Sequence, residues 1–89
     1  MRMDPLPHEV RALVARTFAS LGVRIFSPYD LNETILVDDG RYAARTYKVR
    51  GYMAMWLWEV GIVQFYDPQG DMLWTVNLLE ELAPQRMAA

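Results

Sequence analysis

Seven consecutive residues, Tyr52-Met53-Ala54-Met55-Trp56-Leu57-Trp58, carry no charge and hold two of the chain's three tryptophans. Gly51 and Gly61 bracket them. A short apolar run of this kind reads as a strand buried on both faces or as a buried helical turn. The flanking glycines and the aromatic content favour the strand. A strand apolar on both faces needs cover on both faces. The whole chain has 89 residues, and a domain of that size buries only about 60–65% of its unfolded surface. The source of the second cover is therefore the first physical question.

The totals sharpen it. Hydrophobic residues make up 53% of the chain, with six Met, three Trp and five Tyr. One small core hides less apolar surface than that, which points to self-association or a partner. The formal net charge of −2 argues against a general nucleic-acid binder, for which a basic domain is expected. With no cysteine, disulfides, iron–sulfur clusters and thiolate zinc sites are excluded. The N-terminus lacks the apolar stretch of a signal peptide, and no run approaches the roughly 18 apolar residues of a membrane span. The expectation is a soluble cytoplasmic protein without a membrane segment.

Along the chain, Val10, Leu13, Val14, Thr17, Phe18 and Leu21 form one helical stripe. Asp4 or the Pro5/Pro7 pair opens this helix and Gly22 closes it. Val23–Phe26 reads as a short edge strand. Thr34–Val37 and Tyr42–Val49 read as a hairpin about the Asp38-Asp39-Gly40 turn. Arg50-Gly51 admits two readings: a tight turn, or a bend inside one long strand. Ile62–Tyr66 and Met72–Val76 follow, joined by Asp67-Pro68-Gln69-Gly70. Asn77 caps a short helix with an apolar face of Leu78, Leu79 and Leu82, ended by Pro84. The pattern predicts an α+β fold. An N-terminal helix packs on a four- or five-stranded antiparallel meander, followed by a short C-terminal helix. The unit is a single domain, 1–89, with 84–89 a frayed tail.

Candidate chemistry is thin. The only histidine, His8, opens the helix, and the only serines are Ser20 and Ser27. Asp38, Asp39, Asp67 and Asp71 flank turns, where aspartate binds nearby backbone amides. No glycine-rich phosphate loop is present. No catalytic residue, metal ligand or cofactor site is expected, and the chain is read as a non-enzyme.

Two clusters stand out. Arg41, Arg45, Lys48 and Arg50, with Tyr42 and Tyr47 interleaved, put four positive charges in ten positions without an acid. Residues 51–89 hold one Arg against five acids, a local charge of −4. Basic groups beside stacking aromatics suit a single-stranded nucleic-acid or RNA platform. Pairing with the acidic half, within the sheet or across a dimer, is the plainer explanation. The second cluster is the aromatic row. If the strand runs straight through Gly51, alternation puts Tyr52, Trp56 and Trp58 on one face with Lys48 and Arg50. Tyr47, Val49, Met53, Met55 and Leu57 then face the helix. The leading expectation is a non-catalytic interaction module that forms a homodimer or binds a protein partner through Tyr52, Trp56 and Trp58. Nucleic-acid binding by the 41–50 strand is the alternative. A binder of an apolar small molecule, in a Met/Trp-lined pocket between helix and sheet, is a third reading.

Overall fold

The computed structural model describes residues 6–81. Helix α1 spans Pro7–Ser20, followed by a 3-10 turn at Pro28–Asp30. Five strands succeed it: β1 (Asn32–Asp38), β2 (Arg41–Val49), β3 (Tyr52–Leu57), β4 (Ile62–Tyr66) and β5 (Met72–Asn77). A short helix, α2, covers 78–81. The strands form one antiparallel sheet in the order β1-β2-β3-β4-β5. This is the meander expected from hairpin-length connections. The openings at Asp4 and Pro5, the stop at Pro84 and the 84–89 tail lie outside the described residues.

The termini of α1 follow from its sequence. Pro7 takes the first helical position, where a missing N–H costs nothing. The Glu9 carboxylate accepts from the Leu6 N–H at 3.0 Å. At the other end Gly22 lies at φ +91, a left-handed conformation that only glycine adopts freely. The Val23 N–H donates to Phe18 O and the Gly22 N–H to Ala19 O, at 2.9 and 3.1 Å. That is a Schellman closure, and it delivers Val23 into the core beside Phe18.

Val23–Phe26 forms no strand. The Asp30 carboxylate accepts from the Phe26 and Ser27 amides, and Arg50 Nε donates to Arg24 O. These side-chain contacts hold the segment as an irregular loop. Strand β1 instead begins two residues earlier than the Thr34 expected, at Asn32.

At Arg50-Gly51 the structure decides for the tight turn over the bend. Both residues have positive φ, +50 and +84, the signature of a two-residue type I′ hairpin. Gly51 has a second reason to lack a side chain: a Cβ there would meet Pro68 at 3.3 Å. The turn pairs Val49 with Tyr52, so odd residues before it share a face with even residues after it. The straight-through alternation is thereby replaced, and the faces exchange members.

Two rows of paired residues now face α1. One runs Tyr47–Ala54–Phe65–Trp74 and the other Arg45–Trp56–Val63–Val76. Val10, Leu13, Val14 and Phe18 of the helix pack on them in a single core. Phe18 meets the Phe65 ring edge-on at 5.2 Å. Met53, Met55 and Leu57, expected under the helix, lie on the opposite face, opposite Lys48, Thr46 and Ala44 respectively. The helix–sheet interface holds neither Met53 nor Met55, so the expected Met/Trp-lined pocket is not formed there.

Candidate functional site

The aromatic row is split by the hairpin. Trp56 is 3% exposed and belongs to the domain's own core. Tyr52 packs against that core at its margin, edge-on to Phe18 at 6.3 Å. Trp58, one residue past the end of β3, is 38% exposed and stands T-shaped on Trp56 with centroids 5.5 Å apart. Thus Trp58 is the one member of the trio that the fold leaves at the surface.

The basic cluster is divided as well. Arg45 sits on the α1 side. It donates to the Glu33 carboxylate at 2.8 Å and lies 5.7 Å from both the Trp56 and Trp58 ring centres. Arg11 of α1 pairs with the other oxygen of Glu33. One carboxylate therefore ties the helix to both β1 and β2. Sequence reasoning missed Glu33, because its role depends on strand register and on the placement of Arg11 some twenty residues away. Lys48 lies on the opposite face from Arg45, and Arg50 occupies the turn. The side chains of Arg41 and Tyr42 lie outside the described residues.

Tyr47 is fully buried, at 0% exposure, and its hydroxyl has no hydrogen-bond partner. Burial, reinforced by the Glu33 carboxylate, pushes that hydroxyl from its ordinary 10.0 up to about 12. The folded state therefore keeps this proton where the unfolded chain releases it. Its stabilising contribution is complete below pH 10 and is lost as pH rises through about 12. Tyr47→Phe removes an unpaired polar atom from the core, so it should cost little at neutral pH. Between pH 10 and 12 the variant should lose less stability than wild type in paired thermal melts. Parallel losses would show that another group governs the alkaline limb.

No cluster of three metal-ligating side chains occurs among the described residues. His8 is exposed in the first turn of α1. Asp67 acts as turn chemistry suggests, its carboxylate accepting from the Gln69 and Asp71 amides at 2.9 Å each. No helix among the described residues is long and apolar enough to cross a membrane.

The apolar surface that remains uncovered lies elsewhere. The side of the sheet away from α1 presents Met53, Met55, Leu57 and Ile62, each half-buried. Strand β5 is an edge strand, paired with β4 alone. It runs Met72-Leu73-Trp74-Thr75-Val76-Asn77, without a charge or a proline. Trp74 is 57% exposed and Met72 equally so, with Leu73 at 39%. The third tryptophan, which sequence reasoning passed over, is thus the most exposed of the three. The available signal was position: the last strand of a meander is an edge, and native edges are usually guarded by charge, proline or brevity. Compared with known proteins, the chain matches no family model, no curated protein and no solved structure.

Proposed function

We propose that this protein is a non-catalytic, cytoplasmic self-association module whose sheet supplies the contact surface. The observation that supports this most is the unguarded β5 edge, where Met72, Leu73 and Trp74 are exposed together. Monomeric proteins blunt such edges. A second copy offers the same uncharged strand in return, as two-fold symmetry requires. The burial of Trp56 moves the contact from the β3 row to β5 while leaving the self-association reading intact. The composition supports it too, since 53% hydrophobic residues exceed what a domain of this size hides.

Sedimentation equilibrium tests the reading. Wild type is expected to form a dimer at high micromolar concentration, with a mass that does not change with salt, because the surface is apolar and uncharged. A monomer throughout that range would overturn it.

A second reading, single-stranded nucleic-acid binding, has one observation behind it. Lys48 and Arg50 line a cleft of about 650 Å³ together with Tyr52, Tyr66 and Asp67. Salt-sensitive retention on an oligonucleotide column would support it.

A further inference from the structure

We infer that two copies of this chain join by antiparallel pairing of β5 with β5, extending the sheet from five strands to ten, with Thr75 on the two-fold axis. This names the contact for the self-association proposed above and rests on that reading.

The register follows from the hydrogen-bond pattern. The Leu78 N–H donates to Gly61 O at 2.9 Å, so Leu78 and Gly61 form a hydrogen-bonded pair. Such pairs alternate along an antiparallel ladder. Stepping back by two gives Val76 with Val63 and Trp74 with Phe65, both in the observed register. The backbone groups of Val76 and Trp74 thus turn inward to β4, while those of the intervening Thr75 and the terminal Asn77 turn outward. A second β5 must meet those outward groups with its own. Placing Thr75 against its symmetry mate does so, and it sets Leu73 opposite Asn77 and Trp74 opposite Val76 of the other copy. Because Trp74 and Val76 share the α1 side, both copies carry their helices on one face.

The side chains favour the same arrangement. Beside Val76, at the C-terminal end of α1, lies a groove of about 240 Å³ bordered by Thr17, Leu21, Trp74 and Glu81. In this register the exposed Trp74 of one copy stands at Val76 of the other, at the mouth of that groove. A large aromatic buries on the order of 150–250 Å², and the symmetric pair does so twice. With one strand pairing added, the interface falls at the small end of specific contacts, which suits a micromolar dimer. The other edge strand, β1, also exposes Ile35, Leu36 and Val37, but its sequence includes two acids, Glu33 and Asp38, and charge is a usual guard against edge pairing that β5 lacks.

Two variants and one exchange measurement test this. Thr75→Pro removes an outward N–H without touching the β4 ladder, a position where proline is tolerated. Trp74→Lys places a charge at an exposed edge position. Both are expected to remain folded by circular dichroism and to weaken the dimer roughly tenfold or more in sedimentation equilibrium. In wild type, the Thr75 and Asn77 amides are expected to exchange more slowly as protein concentration rises, a readout that stands even if a variant fails to fold. A dimer that survives both folded variants, with exchange at Thr75 and Asn77 unaffected by concentration, overturns the β5 contact and leaves self-association standing. A monomeric wild type overturns both.

Discussion

Phe18→Ala is expected to destabilise the domain by about 3–5 kcal/mol, the range for deleting a fully buried aromatic ring. Phe18 has no exposed surface and lies at the centre of the α1 stripe. Its ring contacts Phe65 edge-on at 5.2 Å and Tyr52 at 6.3 Å, and such pairs add about 0.5–1.5 kcal/mol beyond area. A domain of this length has roughly 4–13 kcal/mol of total stability, so much of the population should unfold. At about 4–8 °C per kcal/mol, the melting temperature should fall by more than about 10 °C. A fall of only a few degrees would mean that α1 does not dock on the sheet through this residue.

Trp56→Ala is expected to cost a comparable amount, about 3–5 kcal/mol, and its signature separates core from interface. Trp56 joins Val63 and Val76 in the row beneath α1. It also carries the Arg45 guanidinium on its ring and supports Trp58. Truncation therefore opens a cavity and leaves Arg45 with one ring fewer, itself about 0.5–2 kcal/mol. Because the loss is internal to one chain, it should be the same at low and high protein concentration. A loss that appears only at high concentration would return Trp56 to an intermolecular surface, since stability supplied by association depends on concentration.

The helix, the hairpins and the class of fold were legible because each had a local cause. The stripe of α1 has a helical period, Gly22 closes it, and Asp67-Pro68-Gln69-Gly70 turns the chain on its own. Asn77 also caps α2, its side chain accepting from the Leu79 and Glu80 amides. The site was harder to read because it depended on one parity. Arg50-Gly51 was compatible with a bend or a turn, and a single change of that kind moves every later side chain to the other face. That is why Trp56, expected at the surface, is in the core, and why Met53 and Met55 are on the side without a helix. The Glu33 bridge between Arg11 and Arg45 was invisible for a related reason, since it joins three elements distant in sequence. Strand β5 was placed correctly, yet its importance came only with strand order, which identified it as an edge.

The most direct measurement is an isotope-filtered nuclear Overhauser experiment on a mixture of labelled and unlabelled chains, which reports only contacts between copies. The account predicts intermolecular signals from the Trp74 indole to the Val76 and Leu21 methyl groups. Intermolecular signals confined to the Met53, Met55 and Leu57 face, or none at high micromolar concentration, would contradict it.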